Sequence, residues 1–532
     1  MLAMDSFKKL RDSLIKTLSW ALVWRCLAWL SLVLGLLVAA AYLGLRWYVW
    51  PQLNELGPRV IALMSEHLPR PIELRQMRGD MVAGRPVLRI EGLSMRDDQG
   101  QSLLEIGVVE AELSITPLLW GEIDLNRLRL HDVAMAAKRI NPHTLQIAAW
   151  DIALDKPHDD RWMQWLLSQS RLEVNNMALR WRDDVLGSEV LVEGIQLEAV
   201  NQLREHRWRI DAKRVGGALH DASWVAHFHH GLLKDPQHWQ AWQGSLFFGA
   251  QKLDLVELSH WIDPHWLPSL LPLAGNLQVA TWTDFSLARV RKLQARIAGQ
   301  DLALKTPTGT LQLARLQTAF TAMPRYLPDA QALKAVALTL AEWSVDDGLG
   351  TQLSGTPASQ RLVIAADGSL LEGRLALEPF EVAQALALVR RLPLPADLKK
   401  SLESLRAQGQ VKRLAVQFED SVALGLGAQS SYGASLAVDR LAVDVRPRES
   451  LGSRWPSFEG LSGEVQIDET GGTMKLAGES ASLRFPGLFE EPDFAVQSAR
   501  AKVRWRYGER PNDVRMDVDE LEFANSDGKA FV

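Results

Sequence analysis

The chain has 532 residues, with 59 Lys and Arg against 64 Asp and Glu and a formal net charge of -5. Mixed signs with no basic field exclude the electrostatics on which nucleic-acid binding depends. The one cysteine, Cys26, lies in an apolar run, so no intramolecular disulfide and no cysteine-based metal site can form, and stability must come from burial and backbone pairing.

Residues 1–25 hold Lys8, Lys9, Arg11, Lys16 and Arg25 against Asp5 and Asp12, which reads as a basic cytoplasmic segment. Between Arg25 and Arg46 lie twenty residues without a charge, enough for a helix of about 30 Å, the thickness of a bilayer core. A transmembrane anchor is predicted over 26–50, with Trp20 and Trp24 at one interface and Trp47, Tyr48 and Trp50 at the other. Arg46 is the sole basic residue just beyond the run, so the positive-inside rule puts the amino terminus in the cytoplasm and exports everything after Pro51. Cleavage near Ala39-Ala40-Ala41 is the competing reading; against it, Tyr42 to Leu45 stay apolar. Leu53, Leu56, Val60 and Met64 then recur at helical spacing and predict an amphipathic helix over 51–68, ending before Pro69.

From Val87 the period changes to two. "VLRIEGLSMRDDQG" and "LLEIGVVEAELSITP" place an apolar residue at every second position and end in turn chemistry. Leu88 and Ile90 share one face, and Leu93 and Met95 keep a new phase across Gly92. A second slip is read between Val108 and Val109, and both predict bulges that twist or curve a sheet. Similar runs follow at Ile123 to Leu130, Leu172 to Trp181, Val190 to Ala199, Leu302 to Leu304, Val411 to Phe418, Leu436 to Val445 and Glu464 to Ile467. At roughly 15 residues per strand and turn, the region after the anchor would form about 30 strands, a sheet on the order of 140 Å long at the usual strand spacing. A series of ordinary β-sandwich domains would show the same alternation, because a second sheet covers an apolar face as well as any other partner does.

Two stretches, from Gly244 and from Gly373, share the order glycine, short strand, amphipathic helix, proline-rich break, second apolar stretch, glycine, new strand. They read as a degenerate duplication with helical insertions near 253–272 and 380–406, and Arg390 and Arg391 suit the carboxyl end of the second helix.

No sequence pattern for catalysis stands out. G-x-S-x-G, H-E-x-x-H and a Walker loop are missing, and "GLGAQS" at Gly425 does not fit a dinucleotide fingerprint. His227 and His229 share a strand face near His230, His238, His260 and His265, but without carboxylates to complete a metal site they read as packed or solvated side chains. Trp162 and Trp165 suit the packing of a short helix. Trp239, Trp242, Phe247 and Phe248 suit a core or the wall of a lipid path. No cofactor and no enzymatic activity are expected.

The order of anchor, aromatic-Pro exit and helix, followed by "MRGDMVAGRPVLRIEGLSMRDDQGQSLLEIGVVEAELSITPLLWGEIDLNRLRLHD" and later "FEGLSGEVQIDETGGTMKLAGESASLRFPGLFEEP", resembles the AsmA-like envelope proteins of Gram-negative bacteria, in particular their YhdP branch. The landmarks are Gly79, Gly84-Arg85-Pro86, Asp97 to Gly100, Trp120-Gly121, Trp242 to Gly244, Gly460 to Gly463 and Phe485-Pro486, and none is catalytic. Family members are longer, so the resemblance implies an amino-terminal portion.

It also implies a mainly β fold: a twisted antiparallel sheet over 69–532 curled into a hydrophobic groove, behind a single-pass inner-membrane anchor and exposed to the periplasm. The implied function is a conduit for phospholipid between inner and outer membranes, with acyl chains, the inner membrane and outer-membrane or periplasmic proteins as partners. A non-enzymatic scaffold or regulator of envelope assembly is the alternative. The groove candidates are Leu88, Ile90, Leu113, Ile115, Leu128, Leu130, Leu172, Val174, Leu179, Val416 and Phe418.

Overall fold

The computed structural model describes helical backbone at intervals between residues 24 and 47 and most of 70–531. Residues 1–23, 48–69, 115–124, 154–165, 232–240, 262–270, 392–401, 420–430, 446–456, 485–492 and 509–513, with some shorter gaps, lie outside the described residues. The predicted 51–68 helix, Ile115, Trp162, Trp165, Trp239 and the "GLGAQS" stretch all fall there, as does part of the predicted anchor. Among the described residues no helix is long and apolar enough to cross a membrane. The described turns of the 24–47 helix expose Trp24, Trp29, Leu30, Leu34, Leu36 and Leu37.

The chain divides into two units, one comprising Met1–Ala137, Gln146–Ile152 and Gln169–Met177, the other Lys138–Leu145, Ala153–Ser168 and Ala178–Val532. The first is built on β1 (Ile72–Glu73), β2 (Gln76–Val82), β3 (Arg85–Arg96), β4 (Ser102–Leu113), β5 (Leu125–Asn141) and β8 (Arg171–Asp183), with the short β6 (Thr144–Ile147) and β7 (Trp150–Ala153) between the last two. β1 and β2 both pair with β3, which pairs with β4, then β5, then β8. Cross-strand partners share a face. One face carries Ile72, Met95, Leu104 and Met135 in register, then Leu93, Ile106 and Val133, then Ile90, Val109 and Leu130, then Leu88, Ala111 and Leu128. The other carries Arg89, Glu110 and Arg129 in register.

The second unit is a meander. β9 (Ser188–Gln202), β10 (Glu205–Val215), β11 (Leu219–His229), β12 (Gln243–Asp254), β13 (Leu271–Ser286), β14 (Arg289–Thr306), β15 (Gly309–Tyr326) and β16 (Leu333–Asp346) each pair with the next. β16 pairs with the short β17 (Gln352–Ser354) and with β18 (Gln360–Ala365), which pairs with β19 (Leu370–Leu377). β19 and the short β20 (Phe380–Glu381) pair with β21 (Leu405–Glu419). β22 (Ser431–Val445), β23 (Ser457–Asp468), β24 (Gly471–Arg484), β25 (Asp493–Tyr507), β26 (Val514–Ala524) and β27 (Lys529–Phe531) complete the series. In each unit the described strands belong to one antiparallel sheet, with no second sheet to face it. The sandwich alternative is thereby set aside.

The strands run longer than the alternating runs suggested. Leu302 to Leu304 is a fragment of the eighteen-residue β14, and Glu464 to Ile467 is the end of β23. The helical insertions are shorter: Leu255–Ser259 within 253–272, and Val382–Arg391 within 380–406. Asp254 caps the first helix, its carboxylate accepting from the amides of Val256 and Glu257 at 3.0 and 3.2 Å. Both follow a strand end directly, and Gly275 and Gly409, the matching glycines of the two copies, both have left-handed backbone, with φ of 132° and 111°.

A recurring device corrects the phase of the strands. Gly92 has φ 67° and faces Gly107, where the β3–β4 register steps from Glu91–Val108 to Leu93–Ile106. On β5 the next step falls at Asp132 (φ 55°), and on β8 Asn176 (φ 57°) donates from its amide to the Asp132 carboxylate at 2.6 Å. The predicted slip at Gly92 is therefore present, but the one read between Val108 and Val109 is displaced: those residues pair regularly with Glu91 and Ile90, and the irregularity is at Gly107, where Asp132 packs. In the second unit the same conformation occurs at Gly194, Asp221, Gly275, Asp301, Gly409, Arg440, Gly460 and Ser480. A left-handed residue inside a strand makes a bulge that reverses which face the following side chains occupy. In the first unit Leu172 and Val174 share a side before Asn176; in the second unit Leu179 lies on the side opposite Arg180 and Arg182.

A Cβ at Gly409 would meet the Arg440 carbonyl oxygen at 2.6 Å, in a conformation that L residues avoid. Gly409→Ala is expected to destabilise the second unit by about 2 kcal/mol, lowering its melting temperature, whereas Gly528→Ala, whose Cβ meets nothing within 4 Å, leaves melting unchanged.

Candidate functional site

Register extends the face separation across the whole second unit. Leu197, Ile210, Trp224, Phe248, Thr281, Ala295, Phe320, Leu340 and Gln360 follow one another from β9 to β18 in one cross-strand row. Leu375, Val416, Ala434, Ile467, Gly472, Trp505 and Met516 continue from β19 to β26. Two residues to either side run parallel rows on the same face. One passes through Ala212, Ala222, Ala250, Val279, Ile297, Thr318 and Trp343, then Leu377, Leu414, Leu436, Val465, Met474, Val503 and Val518. The other passes through Ala199, Trp208, Ala226, Leu246, Thr283, Leu293, Ala322, Leu338, Leu362, Gly373, Phe418 and Tyr432. None of these residues is charged.

The intervening row on the opposite face holds Glu198 and Arg209, then the uncharged Val225, Phe247, Trp282, Gln294, Thr321 and Thr339 from β11 to β16, then Arg361, Arg374, Asp468, Arg506 and Arg515. An isolated charge is expensive wherever apolar groups exclude water, so the charge-free rows define the dry side of the sheet. Ion pairs collect on the other side. In the first unit Arg89 bonds Glu110 at 2.9 Å, and Arg129 bonds Glu173 at 2.7 Å. Burial opposes the charge of Glu173, but Arg129, with Arg171 and Arg127, outweighs it and holds this carboxylate below its usual range.

The dry face is only partly covered. Trp224, Phe248, Phe320, Leu340, Leu375 and Ile467 are half-buried, Leu246 and Val416 are each 37 % exposed, and Met516 is 63 % exposed. Two clusters of fully buried residues are small: Leu219, Ala222, Ala250 and Leu253 form one, and Leu461, Ala481 and Val496 the other. A sandwich core would bury such side chains against a facing sheet.

The groove candidates fall as follows. In the first unit, Leu88, Ile90, Leu128 and Leu130 lie in the apolar rows, Leu113 continues β4 opposite Leu125, and Leu172 and Val174 face away from the Glu173 ion pairs. Leu113, Leu128, Leu172 and Val174 are already buried by protein. In the second unit, Leu179 lies opposite the arginine side of β8, and Val416 and Phe418 belong to the charge-free rows. Ile115 lies outside the described residues. Phe247 corrects the expected aromatic group: it sits in the charged-side row beside Trp282, ring centroids 5.5 Å apart, while its neighbour Phe248 faces the apolar side. His227 and His229 are exposed on the charged side.

The histidine of consequence is His206, which periodicity did not single out. It is 1 % exposed, in line with Asn201 and Phe228 on the apolar face. Its ring stacks on Phe228 at 5.0 Å and on His230 at 5.6 Å, and Phe228 stacks on Trp242 at 4.6 Å. The Asn201 side-chain oxygen accepts from Trp208 Nε1 at 3.0 Å and sits 2.9 Å from His206 Nδ1. An amide oxygen cannot donate, so Nδ1 carries the proton. Burial, and then the neighbouring His230, push the His206 pKa down to about 4.

These features define an antiparallel sheet protein with one charged and one charge-free face. The model of the YhdP protein family matches residues 13–530, nearly the entire chain, and the chain belongs to that family, of the AsmA-like kind. No curated protein and no solved structure matches it.

Because the folded pKa of His206 lies below the unfolded value of 6.5, the unfolded chain takes up the proton first; stability is complete above pH 6.5 and falls as pH drops toward 4. His206→Gln is expected to flatten the decline of melting temperature between pH 7 and pH 5, whatever its offset at pH 8. An unchanged slope would place the acid sensitivity elsewhere.

Proposed function

We propose that the protein is a periplasmic conduit for phospholipid, anchored in the inner membrane by the 26–50 segment, and that acyl chains occupy the charge-free face. The observation that carries this reading is the set of three adjacent uncharged rows that run from β9 or β10 to β22, two of them continuing to β26, whose side chains protein covers only in part. Apolar surface left to water costs about 25 cal/mol per Å², and a face of this extent calls for an occupant. An acyl chain supplies one without demanding a specific polar partner, while its headgroup stays in water at the strand ends.

Movement along the rows is the physical advantage of such a face. Each buried methylene gains about 0.8 kcal/mol, but a step from one strand to the next exchanges equivalent surroundings, so the path is nearly flat. Adjacent strands lie about 4.8 Å apart, and the sixteen main strands from β9 to β26 thus give a path of about 70 Å within the second unit. The exposed apolar side chains of the described helical residues between 24 and 47 support the anchor, and the family membership supports the envelope setting.

Lipid extracted from the purified protein and weighed by mass spectrometry should be present in at least stoichiometric amount. Adjacent residues on opposite faces supply the matched test. Leu340→Arg and Leu179→Arg are expected to abolish lipid occupancy and transfer while the protein stays folded; Thr339→Arg, on the charged side, leaves both unchanged. Lipid-free material, or equal transfer by folded Leu340→Arg and Thr339→Arg, would favour a scaffold that binds other envelope proteins.

A further inference from the structure

Resting on the reading of the apolar face as a lipid path, we infer that residues 255–261 form a lid that gates this path at β9–β12. Along most of the second unit the uncharged rows are half-open, but here protein closes over the outer two from the strand ends and leaves Ile210, Trp224 and Phe248 of the central row half-buried between the covers. At one end Leu255, Leu258 and Trp261 pack on the buried cluster of Leu219, Ala222, Ala250 and Leu253, beside the Trp224–Phe248 pair, whose centroids are 5.3 Å apart. The Trp261 indole crosses to the β10–β11 turn: a Cβ at Gly216 would lie 2.9 Å from its ring and 3.3 Å from Val190 of β9. At the other end Trp208, in the outer row, is flanked by His206, Phe228 and Trp242 just beyond it, and these stacked and edge-on rings cover that margin. Acyl chains passing from β8 toward β13 are confined by these covers to the central row, and a wider passage requires that one cover be displaced.

The two covers differ in what it takes to move them. The His206 cover contains residues that are 1 to 6 % exposed and is tied by the Asn201 hydrogen bonds, including one to the Leu166 carbonyl at 2.9 Å. The helix has one turn and a half, none of its residues is fully buried, and its tie to the sheet is the Asp254 amide donating to the Ala218 carbonyl at 2.8 Å, at its hinge end. Segments with few buried contacts open at low free-energy cost.

The duplicate helix makes the contrast sharper. Val382–Arg391 buries Leu388 and is pinned by Arg391, 2.7 Å from the fully buried carboxylate of Asp347, and by Arg390, which donates to the Leu402 carbonyl at 2.9 Å. Burial opposes the charge of Asp347, but the amides of Leu349 and Thr351, the Thr351 hydroxyl and Arg391 outweigh it and keep this residue ionised. Among the described residues, the second helix is fastened by ion pair and hydrogen bonds, whereas the first is held by apolar packing and the one backbone bond at Asp254.

A reversible lock tests the lid. A Cβ at Gly217 would lie 3.1 Å from Glu257 Cγ, within reach of a disulfide, so Gly217→Cys with Glu257→Cys in a Cys26→Ser background should tie the helix down on oxidation. The full chain is reconstituted in vesicles containing phosphatidylethanolamine, with photoactivatable benzoylphenylalanine placed at Leu179 or at Val416 in separate preparations. Oxidised protein is expected to form the lipid adduct at Leu179 and lose it at Val416; reduction of the same sample restores the Val416 adduct, which shows the locked chain to be folded. Trp261→Ala should raise the Val416 adduct without a lock. Equal Val416 adducts before and after reduction would overturn the lid and leave the lipid path standing. If neither position forms an adduct in any state, the lipid path itself fails, and the lid with it.

Discussion

Alternation along a strand is a local property, but in a sheet it is useful only if every strand keeps its apolar side on the same face as its neighbours. Each cross-strand pair passes this requirement to the next strand, because directly opposed residues project to one side. A single uncorrected slip on β10 would turn Trp208 and Ile210 outward and bring Arg207 and Arg209 onto the apolar face. The left-handed residues meet this constraint. Gly92 and Asp132 in one unit, and Gly194, Asp221, Gly275 and Asp301 in the other, each reverse the phase within a strand, and Asp132 with Asn176 and Gly275 with Asp301 do so side by side on neighbouring strands. Glycine, Asp and Asn account for most of them, as expected of residues that tolerate this conformation at low cost.

The two faces are stabilised by different physics. On the charged side, ion pairs such as Arg129–Glu173 are partly exposed, and their value lies in exclusion more than in strength: a face lined with paired charges cannot be used to cover apolar surface. On the other side, protein supplies cover at a few places only. Where it does, as around His206, the polar atoms needed for rigidity are brought in as a small network, and the cost appears as a histidine that resists protonation. Elsewhere the rows remain half-open, the expected condition of a surface whose remaining cover is supplied by something other than the chain.

The two helical insertions share a sequence order but differ in how they are attached. Both begin at a strand end and lead to a glycine with left-handed backbone, so their placement follows from shared sequence order. Their attachments do not. Arg391 finds a buried carboxylate on the β16–β17 turn, whereas among the described residues the shorter helix rests on the apolar contacts of Leu255, Leu258 and Trp261.

Much of the architecture could be read from residues alone: the period of two from Val87 onward, the slip at Gly92, the helices near 255 and 382 and the uncharged side of β21 with Val416 and Phe418 all lie within short windows where neighbours in sequence determine the pattern. The amino-acid order also determined the charge balance of each strand, and so which side had to be dry. Tertiary structure decided the rest. Gly107 and not Val108 bears the second irregularity because Asp132, twenty-five residues on, packs against it. Phe247 and Phe248 are alike in composition, and only pairing with β11 and β13 assigns them to opposite faces. His206 is one of twelve histidines until Asn201, Phe228 and Trp242 converge on it from other strands. Alternation is encoded residue by residue, whereas which side chains meet depends on register between distant segments, and register exists only once the backbone has paired.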